Sequence, residues 1–377
     1  MDAAEVLQEI RRIVEDPVTA GKRFKDTLQK PIIGYFCTYT PEEMIHAAGC
    51  VPYRIMGRKK QVEFADRHLQ SYSCSLVRTA LDTALSGDLS FIDGTVFPHT
   101  CDSIQRLSDI WRINAGFSYH ADIVLPVKLH TESARTYVIE ELSAFRASLE
   151  EFVDGEITDD SLWDSIRMYN RMRDNLNRLH DIKRKHPGIV GSKITDDCVQ
   201  AAMYMPVQEH NRLIEELLSE LEGKEDPYDP IRVVVVGNMC VFTDIYDCIE
   251  NAGASVSGDD ICTGSRYYSL NVDVKKKDPI EALADRIIQR PLCAAKHSLD
   301  FDRGMYLKSI IDNANAKGVI FLLIKFCDPH SFDYPHLKNA VEEKGLPHML
   351  IEMEMDNPSP GQIRTRIEAF IEMLAQG

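Results

Sequence analysis

Apolar residues change their spacing along this chain, and the changes divide it into segments. Between Pro31 and Val127 four short apolar runs stand out: PIIGYF (31–36), VPYRIM (51–56), GTVFPH (94–99) and ADIVLPV (121–127). Runs of this length between turn residues predict buried strands. The stretches Leu76–Leu85 and Ser103–Arg112 between them have helical spacing, the first starting just after Cys74. Thr40-Pro41-Glu42-Glu43 predicts another helix start, with Thr40 as N-cap, Pro41 at the first position and Glu43 closing a capping box. Gly49 ends that helix, and residues 1–30 predict short helices of their own.

The middle of the chain changes to long helical stripes. Val138, Leu142, Phe145, Leu149 and Phe152 recur every three or four residues, and Leu162, Ile166, Tyr169, Leu176 and Leu179 continue the spacing. Such stripes are core-facing sides of helices. Trp111 and Trp163 fall in helical stripes and are expected in the core. HPG (186–188) and EDPYDP (225–230) punctuate the region. Alternation then resumes. IRVVVVG (231–237), GVIFLLIKF (318–326) and LPHMLIEME (346–354) predict strands, and 244–251, 302–316 and 335–344 predict helices. Ser359-Pro360-Gly361-Gln362 predicts a capping box opening the last helix.

Strands alternating with helices predict parallel sheets. The expected organisation is N-terminal helices (1–30), a first α/β domain (31–130), a helical region (131–228) and a second α/β domain (229–377).

Composition narrows the function. The 377 residues include 43 Lys and Arg against 59 Asp and Glu, a net charge of −16. A general nucleic-acid binder needs a basic face, so nucleic acid is not an expected partner. No apolar run approaches the ~20 residues that span a bilayer, and the N-terminus lacks an apolar signal core. A cytoplasmic protein without a membrane partner is expected.

Ten cysteines are the unusual feature. In a reducing compartment they are apolar packing residues, reactive thiols or metal ligands. No Cys-x2-Cys pair occurs, so a metal site must be assembled from distant segments. Cys37, Cys101, Cys240 and Cys327 each follow a predicted strand, where open parallel sheets bind ligands. Cys74 precedes a helix, whose N-terminus favours a thiolate. Cys50, Cys198 and Cys248 lie in contexts that predict packing. Three thiolates with an open fourth position suit an iron–sulfur cluster that acts on a substrate.

Four segments, GYFCTYTPEEMIHAAGCVPYRI (34–55), YSCSLVRTALD (72–82), TVFPHTCDSIQRL (95–107) and IKFCDPHSFDYPHLK (324–338), resemble the 2-hydroxyacyl-CoA dehydratase and benzoyl-CoA reductase family. IRTRIEAFIEML (363–374) fits as well, and the chain has the length of the family's smaller, cluster-bearing subunit. The resemblance implies two α/β domains of Rossmann or flavodoxin type and a [4Fe-4S] cluster between them. By motif the cluster ligands map onto Cys74, Cys101 and Cys327. The resemblance also implies a separate ATPase activator with its own [4Fe-4S] cluster, through which ATP acts. The activator delivers single low-potential electrons, and a CoA thioester then forms a ketyl radical that permits dehydration or ring reduction. A paralogous larger subunit or a second identical chain completes the enzyme. The chain itself has no G-x4-G-K-S/T loop and no G-x-G-x-x-G after a strand.

A branch of the same family carries a double-cubane [8Fe-9S] cluster in a homodimer that reduces small molecules. Cys240, Cys262 and Cys293 are the candidate additional ligands for that arrangement; a loop thiol at 262 and a packing thiol at 293 are the plain alternatives. A further alternative is a non-catalytic electron-relay or scaffold subunit. His99 is a candidate proton donor beside Cys101, or else a histidine hydrogen-bonded at a strand end. Tyr39 and Glu43 are expected at the rim of the cleft. Arg266 and Lys296-His297 are candidate contacts for CoA phosphates, and Lys275–Lys277 is expected in an exposed loop.

Overall fold

The computed structural model describes residues 2–57, 61–240, 244–355 and 360–376. Helices α1 (Ala3–Glu15) and α2 (Pro17–Leu28) precede the first sheet. Its strands are β1 (Ile32–Tyr35), β2 (Val51–Arg54), β3 (Gly94–Pro98) and β4 (Tyr119–Ile123). Their connections carry α3 (Glu42–Ala47), α4 (Ser75–Leu85) and α5 (Asp102–Asn114). The middle is α6 (Glu132–Val153), α7 (Asp159–Lys185), α8 (Ser192–Ala201) and α9 (Val207–Leu221). The second sheet begins with β5 (Ile231–Gly237), α10 (Asp244–Asn251) and β6 (Ala254–Asp260). After α11 (Ser265–Tyr268), α12 (Pro279–Gln289) and α13 (Arg303–Ala314) come β7 (Gly318–Ile324), α14 (Asp328–Glu342), β8 (His348–Met353) and α15 (Pro360–Gln376).

Both sheets are parallel and share one strand order, β2-β1-β3-β4 and β6-β5-β7-β8. In each the order reverses beside the first strand, between β1 and β3 and between β5 and β7. Connections diverge there and leave a crevice beyond the carboxyl ends, where such sheets bind ligands. Strands β5 and β7 approach closely at that end. A Cβ on Gly237 would overlap the Leu322 carbonyl oxygen, so only glycine fits.

The apolar stripes explain the packing. Val138, Leu142, Phe145 and Leu149 are buried on one side of the first sheet. On the other side Trp111 packs on Phe36 and Phe97, with ring centroids 5.4 and 5.6 Å away. Burying an aromatic of this kind stabilises the fold by about 2–3 kcal/mol. Trp163 is half-buried beside α6. Helix α1 packs on α8 and α9.

Strand β6 and helices α9 and α12 were not legible in the pattern. β6 reads ASVSGDD, yet every residue of it is buried. Its polar groups are answered inside the protein: Asp259 accepts from Ser265 N (2.6 Å), and Asp260 pairs with Arg303 (2.9 Å).

Two helix starts differ from expectation. Helix α3 has Pro41, not Thr40, at its cap, without a side-chain cap bond. The Thr40 hydroxyl donates to the Phe36 carbonyl (2.7 Å), and the Glu43 carboxylate is drawn into a buried ion pair with Arg173 of α7. A buried carboxylate finds its countercharge before it closes a cap. Helix α14 begins at Asp328 with Pro329 in its first turn, and Pro335 lies inside it. Proline fits the first turn because its missing N–H is unpaired there in any case. The capping box expected at Ser359 lies outside the described residues. Among the described residues no helix is long and apolar enough to cross a membrane.

Candidate functional site

The loops leaving the reversal points carry thiols. Cys37 lies two residues beyond β1, with φ +59°. Cys101 lies beyond β3 and caps the N-terminus of α5; Cys327 lies beyond β7 and caps α14. Cys74, after β2, caps α4. Phe326, immediately before Cys327, also has a left-handed backbone, φ +62°. A non-glycine residue in that region costs roughly 1–2 kcal/mol. One strained residue is a site cysteine and the other adjoins one, and such strain is commonly retained at sites to aim a side chain.

Cys74, Cys101 and Cys327 border two adjoining cavities. The inner one has a volume of about 90 Å³ and is also lined by Cys37, Cys262, Cys293 and His330. The outer one, about 500 Å³, reaches solvent past Asp102, Asp328, Asp333 and Phe332, whose side chain is 84% exposed. Among the described residues no lysine or arginine lines it.

Three helix N-termini therefore converge where the cavities meet. Each supplies unpaired backbone N–H groups and roughly half a positive charge. Backbone N–H groups of the first turns face all three sulfurs and lower their pKa. Burial acts the other way and dominates. It pushes the Cys74 thiol up to about 11 and Cys101 to about 12, with neighbouring thiols adding to the rise. Cys327 is raised chiefly by burial as well. Three buried soft donors that resist ionising together are suited to a cation, which removes both the desolvation cost and the mutual repulsion.

At the inner end one ligand atom each of Cys262, Cys293 and His330 lie within 4.8 Å of one another. The Cys293 sulfur is 3.8 Å from His330 Nε2. The hydrogen bond between the thiols holds Cys262 well below the usual thiol range, helped by Arg266, and drives Cys293 well above it.

The family model for the 2-hydroxyglutaryl-CoA dehydratase D-component matches residues 37–374, nearly the whole chain. The chain belongs to this family. It is 28% identical to the (R)-phenyllactyl-CoA dehydratase beta subunit of Clostridium sporogenes, over 97% of this chain and 98% of that one. It is also 28% identical to a subunit of the benzoyl-CoA reductase of Thauera aromatica, over 99% of each. The (R)-2-hydroxyglutaryl-CoA dehydratase beta subunit of Acidaminococcus fermentans is 25% identical, over 99% of this chain and 100% of that one. The family and the two parallel-sheet units thus agree with the expectation from the motifs.

Several residues singled out in the sequence lie elsewhere than expected. Cys240 does not line the cysteine cavity; it is fully buried in the core of the second sheet, with its N–H bonded to Thr263 (3.0 Å). His99 pairs with Asp122 (2.9 Å) at the end of β3 and lines neither cavity. That is the strand-end position of the plain alternative. Arg266, 1% exposed, pairs with Asp260 (3.3 Å) and cannot present itself to a dissolved phosphate. Lys296 is buried against the Leu125 carbonyl (2.9 Å), whereas His297 is exposed. Tyr39 and Glu43 are buried rather than at a rim. Cys50, Cys198 and Cys248, by contrast, are buried core residues as their contexts predict.

Two site residues went unassigned in the sequence. Cys37 stood at a strand end but had no role. His330, in CDPH, carried no spacing signal, because its partners are 37 and 68 residues away in the chain.

Proposed function

We propose that this chain is the iron–sulfur subunit of an ATP-dependent radical enzyme of the acyl-CoA dehydratase or benzoyl-CoA reductase type. The observation that carries the reading is the convergence of Cys74, Cys101 and Cys327, from three segments of both sheets, on one cavity boundary. These cysteines would hold a [4Fe-4S] cluster, which supplies single low-potential electrons for a CoA thioester when charged by an ATPase activator. The chain's own part is to bind and to shield. The helix N-termini stabilise the negative charge of thiolate ligands. The inner cavity, at about 90 Å³, is too small to admit an acyl-CoA.

Charge at the outer mouth supports a second protein chain in the enzyme. CoA is polyanionic, and the mouth offers it Asp102, Asp328 and Asp333, with no cation among the described lining residues. CoA phosphates are better met by a paralogous subunit or a second copy, with this chain relaying the electron.

One observation favours a second reading. Cys37, Cys262 and Cys293 line the same cavity, making six thiols in all. Six thiolates suit a double-cubane [8Fe-9S] unit, with Cys37 in the position expected for Cys240. Anaerobic purification followed by iron and acid-labile sulfide analysis separates the readings. About four irons per chain supports the single cubane and about eight the double one. A chain that takes up none after reconstitution is neither.

A further inference from the structure

Buried charge behind the inner cavity does not balance within the protein. Arg303 is answered by Asp260 and Asp333, and Arg266 shares Asp260 with it. Lys296 and Arg290, 5% and 1% exposed, pair with no carboxylate among the described residues. Lys296 donates only to the Leu125 carbonyl, and Arg290 to the Thr38 (2.5 Å) and Arg266 carbonyls. Arg290 Nε and Arg266 Nη1 are buried without a hydrogen-bond partner among the described residues. An isolated buried cation is costly, and natural proteins pair it.

All three cations lie behind the residues that line the inner cavity, within electrostatic reach of its thiols, and Arg54 lines the cavity itself. Lys296 lies on the turn that begins at Cys293, its N–H bonded to the Cys293 carbonyl (2.9 Å). Arg290 and Lys296 sit 5.0 and 5.9 Å from the centroid of the Tyr39 ring, and Tyr39 Oη accepts from Cys293 N (3.3 Å). Lys296 acts electrostatically on Cys37 and Cys293, Arg290 on Cys37 and Cys262, and Arg266 on Cys262 and Cys293.

We infer that Lys296, Arg290 and Arg266 form a buried cationic wall whose countercharge is the thiolates of Cys37, Cys262 and Cys293 with the group they hold, and that the wall sets the reduction potential of that group. These are positioning residues, acting through the thiols. The inference rests on the double-cubane reading, in which Cys37, Cys262 and Cys293 are ligands, for the potential, and on the charge imbalance alone for the wall. A positive wall favours the more negative, reduced state, so removing a cation makes reduction harder.

The test uses Lys296→Met, Arg290→Met and the charge-keeping Lys296→Arg in the full chain. Thermal unfolding is measured on iron-free and iron-loaded protein, iron content is counted, and the midpoint potential is read by electron paramagnetic resonance. Both methionine variants are expected to be at least as stable as wild type when iron-free, and less stable than wild type when loaded. Their potentials should fall by about 59 mV, a tenfold change in a one-electron equilibrium, while Lys296→Arg keeps the wild-type value. Equal losses of stability in both states would mean that the cations are ordinary structural donors and would overturn the wall. Loaded variants with unchanged potentials would overturn the tuning. A wild-type chain that binds about four irons, or none, sinks the double-cubane reading instead, and the iron-free comparison still decides the wall.

Discussion

The two cavities that meet at Cys74, Cys101 and Cys327 are opposite in character. The inner one is small, ringed by thiols with Arg54 among its lining, and backed by buried arginines and a lysine; the outer one is larger and acidic. The inner end is a place for an anionic, thiolate-bound group to be held dry. The outer end offers polyanions nothing and suits a neutral or basic surface. Charge thus separates the part of the site that keeps an electron from the part that meets the outside.

The largest expected effect falls on the boundary itself. Replacing Cys74, Cys101 or Cys327 by alanine should abolish iron binding under the single-cubane reading. Replacing Cys37, Cys262 or Cys293 should leave it untouched under that reading and lower it under the double-cubane one. Iron retained in all three boundary variants would remove the basis for dividing the cavity this way.

Next in size is the frame behind the inner end. Arg173→Met strips the countercharge from Glu43, and both groups are 2% exposed. Breaking such a pair should cost about 3–5 kcal/mol, and Arg173→Met with Glu43→Gln should recover much of it. Urea unfolding of the single and double variants measures this. A single variant as stable as wild type would show that the inner end does not depend on its buried charges.

Glu42, beside Glu43, gives a pH-dependent effect. Burial pushes its carboxyl from 4.5 up to about 7, against the hydroxyl donors Tyr35 (2.6 Å) and Tyr267 (3.0 Å). The folded state therefore favours the neutral form. Its contribution to stability is fully present below pH 4.5 and is lost as pH rises through about 7, a change of about 3 kcal/mol. Glu42→Gln should lack this dependence and be the more stable protein at pH 8. Parallel urea midpoints for the two proteins over that range would reveal it.

The smallest effect belongs to the outer mouth. Asp102 and Asp328 are exposed, so changing both to asparagine should alter stability by no more than about 0.5 kcal/mol. It should speed reduction of the iron-loaded protein by dithionite, an anion, by about twofold at low salt, with the gain vanishing at high salt. A rate that does not change would detach the acidic residues from access to the site.

Much of the fold was legible because its signals are local. The apolar runs of β1, β3, β5 and β7 and the stripes of α6 and α7 announce themselves within one element. β6 did not, because Ser255 and Asp260 are buried against partners far away in the chain, Ser192 and Arg303. Thr40 and Glu43 fitted a capping box, but a guanidinium from α7, reached only after folding, took the carboxylate. The boundary cysteines were legible as strand-end and helix-start thiols, and as a set only through the resemblance to the family's motifs. His330 and Cys37 acquire their significance only from proximity to other segments.

The sequence by itself determined two alternating α/β segments, a helical middle and a set of thiols in loops, since periodicity and capping act over a few residues. Only the tertiary structure decided which thiols meet. It brought Cys37 to the cavity, sent Cys240 into the core and turned Arg266 inward. The reason is physical: a ligand set and its countercharges depend on distances through space, which the packing of two sheets sets and one-dimensional spacing does not.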